Sequence, residues 1–435
     1  MAAFSSEVLN PGVRRRELFA WAMYDFANSG YTTVVITTVF AAYFVGGVAG
    51  GAAWAPLVWT VALSVSYAIV MITMPGLGAW ADARGAKKPA LMAVTAGCVL
   101  STAALAGVQP GGVSLAMGLI IVSNTFYSYG ESLAASFLPE LARPEAMGKV
   151  SGWGWAFGYV GGLLTLAACL AYVLHAQGQR QPAAQFVPVT MLITAAVYGT
   201  AACVTFAWLR ERAAAVAAPA AGPSAETGSA LARLTATLRL ARHYPDLRWL
   251  LASTVAYQGG VAVAITLAAI YAEQVIGFAP QETMALIMVL NVAAAAGAFA
   301  GGYLQDGIGH KRTLAITLVG WALTCIVAAL AMTKAQFWVA AVISGLCMGS
   351  CQSIGRAMVG LFTPRPHLAA FFGLWSFATR LASIVGPLAY GLITWGTGGN
   401  QRIAIACTTL LFVLGLLALW PIDVARGRAA ALRAA

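Results

Sequence analysis

Gly78-Ala-Trp-Ala-Asp82-Ala-Arg-Gly85-Ala-Lys87-Lys88 returns 224 positions later as Gly302-Tyr-Leu-Gln-Asp306-Gly-Ile-Gly309-His-Lys311-Arg312. Both copies read Gly-x-x-x-Asp-x-x-Gly-x-(Lys/Arg)-(Lys/Arg), and each ends a long apolar run. A polar hinge repeated at half the chain length, between stretches that dissolve in lipid, marks a duplicated membrane bundle. The duplication reaches past the hinges: Pro139 and Pro364 are 225 residues apart, as are Gly161 and Gly386.

Composition points the same way. Of 435 residues, 60% are hydrophobic and 9% charged, with mean hydropathy +0.80. A soluble domain carries about 25% charged residues. Apolar stretches of the length a bilayer requires, about 20 residues, fall at about 18–47, 54–80, 89–108, 112–139, 150–174 and 186–210. Six more follow at about 248–276, 281–305, 313–333, 336–363, 367–396 and 400–420. The expected fold is an all-α membrane protein: twelve transmembrane helices in two pseudo-symmetric six-helix bundles, residues 18–210 and 248–420. Residues 1–17 form an N-terminal segment and 421–435 a tail. Between the bundles, 211–247 read as a flexible Ala/Pro/Gly/Ser stretch followed by a short basic amphipathic helix carrying Arg233, Arg239, Arg242 and His243. Its simplest role is a tether along the inner membrane surface; a regulatory or partner-binding role is the alternative.

Charge sets the orientation. With the first span running from inside to outside, 20 of the 25 Lys and Arg gather on one side, only Arg180, Lys334 and Arg402 lie on the other, and Arg356 and Arg380 fall within spans. The positive-inside rule then places both termini and the central segment in the cytoplasm, with the chain in a cell inner membrane. The net charge of +11 fits this asymmetry and attraction to anionic lipid, and no basic patch interleaved with exposed aromatics supports nucleic-acid binding. Residues 1–17 are polar and the apolar run after them is too long for a cleaved leader. All seven Cys lie within expected spans, so no disulfide framework is implied. Cys347 and Cys351 share a helical face, but without a His nearby they read as packing residues rather than a soft-metal site. No metal or cofactor is expected. Nor is an enzyme: a nucleotide-binding loop, an HExxH zinc site and a Gly-x-Ser-x-Gly elbow are all missing from the sequence.

Charges at membrane depth each cost about 2.5–3.5 kcal/mol unless paired or hydrated. Four stand out: Asp25, Glu131, Arg356 and Arg380. Helical spacing gives them polar neighbours, with Asn28 three residues after Asp25, Tyr127 four before Glu131, and Gln352 one turn before Arg356. They form either a solute and proton site or a structural ion-pair network joining the halves. Asp82 and Asp306 sit at helix ends beside Lys87, Lys88, Lys311 and Arg312. There they can cap a helix N-terminus or pair with a basic residue when the cytoplasmic side closes. A simple turn explains one copy, but not two at equal spacing.

The hinge resembles the loop motif of the major facilitator superfamily. A more specific resemblance rests on Trp21-Ala-Met-Tyr24-Asp25-Phe26-Ala27-Asn28-Ser29, on Phe137-Leu-Pro-Glu140-Leu, on Ser151-Gly-Trp-Gly-Trp155-Ala-Phe-Gly158-Tyr159, on Gln352-Ser-Ile-Gly-Arg356 and on Phe371-Phe372-Gly373-Leu-Trp375. Together these resemble the "unknown major facilitator" group, which includes the fungal vacuolar amino-acid effluxers linked to autophagy. The resemblance covers nearly the whole chain. It implies that helices 1, 4, 7 and 10 line a central cavity, with Asp25 and Glu131 facing Arg356, and Arg380 behind or beside it. The chain departs from the group at Tyr257-Gln258-Gly259, where relatives carry a carboxylate, and at Ala135, where they carry Asn one turn after the Glu131 position. Gln258 thereby joins the cavity set. Trp153, Trp155, Tyr159 and Trp375 serve as interface anchors or as substrate contacts.

The implied function is secondary active transport by alternating access, coupled to protons, of a small polar or zwitterionic, amino-acid-like solute, with export as the direction the group suggests. An amphipathic metabolite or drug is the alternative cargo, although Gly161-Gly162 stands where drug antiporters carry Gly-Pro. A non-transporting sensor or scaffold is the alternative class. The expected partners are the solute, protons and membrane lipid, with the chain a monomer. Reporter fusions after residues 225 and 430 should both report a cytoplasmic location, and a periplasmic signal from either would overturn the span count.

Overall fold

The computed structural model describes residues 6–212 and 230–433. The expected flexible stretch 217–229 lies outside the described residues, as do 1–5 and 434–435. Twelve long helices follow one another: α1 (Arg15–Val48), α2 (Ala55–Arg84), α3 (Lys87–Ala104), α4 (Val113–Ala135), α5 (Met147–Gly178) and α6 (Ala183–Trp208). Then come α7 (Pro245–Tyr271), α8 (Pro280–Ile308), α9 (His310–Leu330), α10 (Lys334–Phe362), α11 (Leu368–Gly396) and α12 (Gln401–Leu419). A linker helix (Ala230–Ala241) precedes α7 and a tail helix (Val424–Arg433) follows α12. Eleven of the helices are apolar and long enough to cross a membrane. The exception is α4, whose 23 residues are diluted by Ser123, Asn124, Thr125, Ser128, Glu131 and Ser132. The helix that falls short is thus one that carries a deep charge.

Local chemistry sets the ends. Thr333 caps α10 by accepting from the Gln336 N–H, and Asn400 caps α12 by accepting from the Ile403 N–H, the ordinary use of a short polar side chain beside orphan donors. At the end of α2, Gly85 has φ +57°, a left-handed conformation that stops the helix without a Cβ penalty. Within α1 the run Thr32-Thr33-Val-Val-Ile-Thr37 is wound as a π segment that ends at Thr38. The Thr38 hydroxyl donates to the Thr33 carbonyl at 2.6 Å and the Thr37 hydroxyl to the same oxygen at 2.8 Å, so side chains compete with the backbone for acceptors.

Packing repeats with the sequence. In the first bundle α1 lies against α5 and α6, α3 against α4 and α6, and α2 against α4; in the second, α7 lies against α11 and α12, α9 against α10 and α12, and α8 against α10. The bundles meet through two equivalent junctions, α2 with α11 and α5 with α8. Gly161 and Gly386 serve the same purpose in the two halves. A Cβ at Gly161 would strike the Phe26 backbone of α1, and one at Gly386 the Gly259 carbonyl of α7.

Both terminal segments and the ends of the linker gather at one face, hereafter the basic face. Asn10 donates to the Pro139 and Glu140 carbonyls, each at 3.0 Å, Arg212 pairs with Glu17 at 2.6 Å, and Arg428 of the tail helix pairs with Glu145 at 2.7 Å. Replacing Gly386 by Leu should overpack the α7–α11 contact and destabilise the fold by about 1–3 kcal/mol. This would appear as a lower thermal midpoint in detergent, whereas Gly391→Leu, at a position with nothing within 4 Å, should leave the midpoint in place.

Candidate functional site

The two hinges reach across to the opposite half. Asp82, in the last turn of α2, accepts from the N–H groups of Ala369 and Ala370 at 3.0 and 2.9 Å, in the first turn of α11. Asp306, near the end of α8, accepts from the N–H groups of Gly148 and Lys149, both at 2.9 Å, in the first turn of α5. Each carboxylate sits where the partial positive charge of a helix N-terminus favours an anion. Gly78 permits the approach, because a Cβ there would strike the Ala369 carbonyl, and a Cβ on Gly302 would crowd the Gly148 carbonyl and the Gly152 backbone. Gly309, at φ +97°, breaks the chain between α8 and α9.

The basic residues of the hinges are engaged elsewhere, contrary to the simpler expectation of Asp pairing with them directly. Lys87 is fully buried against Glu140 and the Phe137 ring. Lys88 donates to the Leu209 carbonyl at 2.7 Å, and Lys311 to the Trp420 and Ile422 carbonyls at 2.7 Å. Arg312 is exposed. These cations fasten α3 and α9 to the ends of their own bundles, because a long side chain starting after the hinge turn points back along its own half. Glu211 completes the arrangement by accepting from the Lys87 and Lys88 N–H groups at 2.7 and 2.9 Å.

Deeper in the molecule two ion pairs bridge the halves at two levels. In the lower one the Arg356 Nη1 donates to Asp25 at 2.7 Å, while its Nε and Nη2 donate to the Ser151 hydroxyl and carbonyl at 3.1 and 2.7 Å. Ser151 in turn donates to the Ser353 carbonyl at 2.8 Å. The guanidinium lies between the Trp21 and Trp155 rings, 4.7 and 5.4 Å from their centroids. In the upper pair Arg380 meets Glu131, with Tyr67 and Tyr127 at 5.3 and 5.9 Å. At 1.5 Å per residue, Arg356 is about 9 Å from the basic end of α10 and Arg380 about 18 Å from that of α11.

The two levels differ in access. The Arg356 side chain is 4% exposed, whereas Glu131 is 27% exposed although it stands deep in the bundle. On the basic side of Arg356 every residue of 357–362 in α10 and 368–376 in α11 is buried, which makes a plug. The hydrogen bonds between the halves named above lie between the basic face and the upper pair. These contacts seal the basic face, and Glu131 keeps accessible surface above them. Beside Glu131, the Arg380 Nε is buried with no hydrogen-bond partner among the described residues, as is the Ser376 hydroxyl one turn earlier.

Several sequence expectations are redrawn. Glu131 and Arg356, equivalent in the two halves, do not pair with each other; each finds a different partner. Asn28 is turned away from Asp25 and accepts from the Tyr198 hydroxyl at 2.8 Å inside the first bundle, because a three-residue step on a helix rotates the side chain by about 60°. Gln258 and Gln352 bond to each other at 2.5 Å. Tyr127 stacks on Tyr31 with ring centroids 5.0 Å apart. Trp153 and Trp375 are 6% and 4% exposed, interior residues rather than interface anchors. Tyr67 joins the site without any mark in the sequence, and Trp21 and Ser151 join it although the sequence shows them only as members of longer motif strings. For Ser151 the available signal was its place in Ser-Gly-Trp-Gly-Trp, at the start of a helix that closes on its neighbour.

With this geometry in hand, the comparisons with known proteins are direct. The model of the family described as "Vacuole effluxer Atg22 like" matches residues 57–432. The MFS-type transporter YxiO of Bacillus subtilis (strain 168) is 27% identical over 407 residues, 92% of this chain and 93% of its own. Autophagy-related protein 22-1 of Aspergillus niger is 23% identical over 306 residues, 65% of this chain and 48% of its own. Among solved structures the proton:xylose symporter XylE gives a TM-score of 0.73 at 13% identity, covering 93% of this chain and 95% of that one. The E. coli fucose:proton symporter FucP gives 0.70 at 13%, covering 94% and 98%. The human organic anion transporter MFSD10 gives 0.66 at 16%, covering 93% and 99%. At these identities the structures bear on the fold alone.

The hinge geometry makes a prediction. An Asn in place of Asp82 or Asp306 keeps one acceptor but turns a donor toward the second N–H and removes the charge; an anion at a helix N-terminus contributes about 0.3–2 kcal/mol. Asp82→Asn and Asp306→Asn should each shift the population toward a state open at the basic face with expression largely intact, read as longer spin-label distances across that face. Unchanged distances together with unchanged transport would reduce the hinge to a turn.

Proposed function

Because this chain belongs to the Atg22-like family of major facilitator transporters, we propose that it carries a small zwitterionic, amino-acid-like solute across the cell inner membrane by alternating access, coupled to protons. The basic face is cytoplasmic in this reading, from the 20 to 3 division of basic residues outside the spans. The observation that carries the proposal is the contrast between the two bridging ion pairs. Asp25–Arg356 is saturated with hydrogen bonds and sealed under the plug, which suits a gate. Glu131 of the upper pair keeps 27% of its side chain accessible, and the Arg380 Nε has no hydrogen-bond partner among the described residues.

A solute carboxylate fits Arg380, since a guanidinium offers paired donors to a planar oxyanion. Such a carboxylate competes with Glu131 for the same cation. If Glu131 takes a proton as it yields Arg380, one proton enters the cycle for each solute bound. The solute ammonium group has Glu131 itself and the Tyr67 and Tyr127 rings within the same space. When the hinges release and the basic face opens, the solute leaves toward that side; export requires the cycle to run in reverse. The four aromatic rings about the two arginines keep an amphipathic metabolite as the second candidate cargo.

The test is Glu131→Gln in proteoliposomes. It should keep solute counterflow yet lose accumulation driven by a pH gradient. If the variant still concentrates solute under a proton-motive force, Glu131 is not the proton carrier and the upper pair is structural.

A further inference from the structure

The linker helix is joined to one half and packed on the other. Only residues 242–244 separate it from α7 of the second bundle. Its buried stripe, Leu234, Thr237 and Ala241, faces inward, and the helix lies against α2 of the first bundle. At Gly76 a Cβ would sit 3.1 Å from the Cβ of Arg233. The adjoining Pro75 presses on α11, its Cα 2.8 Å from where a Cβ on Gly373 would stand, and Tyr244 meets Phe371 edge-on at 5.4 Å. The helix therefore covers the α2–α11 junction close to Asp82.

Its outer face has a different character. Leu231, Thr235, Leu238 and Arg242 recur at helical spacing on one flank of the helix, about 100° round from the buried stripe, and all are exposed, with Leu231 at 59% and Leu238 at 41%. Arg239, His243, Arg248 and Trp249 extend this surface. On α2, one turn beyond Gly76, the half-exposed Trp80 carries Arg84 over its ring at 5.1 Å. The one acid of 230–250, Asp246, is buried and bound by Arg426 at 2.7 and 2.9 Å. Leu and Trp flanked by Arg, with no exposed acid among them, suit the boundary between acyl chains and anionic headgroups.

We propose that this composite surface binds anionic phospholipid headgroups of the leaflet at the basic face, and that this binding stabilises the state closed at that face. The surface is shared by the linker helix, tied to the second half through residues 242–244 but packed on α2, and by Trp80 and Arg84 of the first half. Because the helix contacts α2 on one side of the junction and α11 and α7 on the other, opening the junction must break one set of these contacts, so the composite is complete only in the shut state, and a ligand that binds one state draws the equilibrium toward it.

The test uses the full chain in nanodiscs of phosphatidylcholine, with and without about 30% phosphatidylglycerol. Spin labels on the α4–α5 and α10–α11 turns report closure. The anionic lipid should raise the ratio of closed to open molecules about fivefold. The combined variant Arg239→Gln, Arg242→Gln, Arg248→Gln should lose that response, and the corresponding Arg→Lys variant should keep it. All three proteins should melt alike in detergent, which separates loss of lipid binding from loss of fold. Soluble glycerophosphate at matched concentration should do nothing. Absence of a lipid response in the parent chain, or an undiminished one in the Gln variant, overturns the proposal, and neither outcome depends on which solute is carried.

Discussion

Two carboxylates hold the first N–H groups of helices that belong to the other half, and the closure of the basic face depends on that exchange. Asp82 caps α11 and Asp306 caps α5. A helix N-terminus emerging at a bundle junction has donors that its own helix cannot satisfy, and a partner that supplies an acceptor from across the junction makes closure and capping one event. The arrangement needs a Gly one turn before each Asp, since any side chain at Gly78 would keep α11 away. It also requires the neighbouring lysines to be occupied elsewhere, which Glu140 and the Leu209 carbonyl accomplish for Lys87 and Lys88.

The deeper ion pairs are built on the same duplicated frame but filled differently. Glu131 and Arg356 are 225 residues apart, and so are Trp155 and Arg380. The contact of Glu131 with Arg380 is therefore the counterpart of the contact between Arg356 and Trp155. In one slot a carboxylate meets a guanidinium; in the other a guanidinium meets an indole and borrows its carboxylate from α1. An ion pair removed from water gains little unless its remaining donors are satisfied. Arg356 meets that condition through Ser151, whereas Arg380 does not.

The membrane class, the two bundles and the polar hinges were legible in the sequence because they depend on composition and on spacing along one chain. Which deep charge meets which was not legible. Pairing across a cavity depends on how far each helix is rotated about its own axis, a quantity that periodicity fixes only relative to its own neighbours. Asn28 illustrates this: it shares a broad face with Asp25, yet Tyr198 on α6 claims it. The linker helix illustrates a second limit. Its amphipathic pattern announced an apolar stripe, but a stripe of Leu234, Thr237 and Ala241 serves equally against lipid or against a glycine-flattened patch of α2, and only the packing at Gly76 decides between them.

The π winding of α1 between Thr32 and Thr37 bears on how the molecule deforms. Below it, α1 is a regular helix clamped by the Trp21 indole on the Ala134 carbonyl and by Asp25 on Arg356. Within it, threonine hydroxyls already share the Thr33 backbone acceptor, so a slip of hydrogen-bond register exchanges one partner for another rather than leaving that carbonyl bare. α7 ends in a comparable winding at Ala272–Ile276. Stiffness is therefore graded along the length of the molecule: rigid where the halves are latched, compliant where the central space is open. A vestibule whose rim can bend by itself can shut over its contents while both latches hold, so that enclosure and reversal become separate mechanical events.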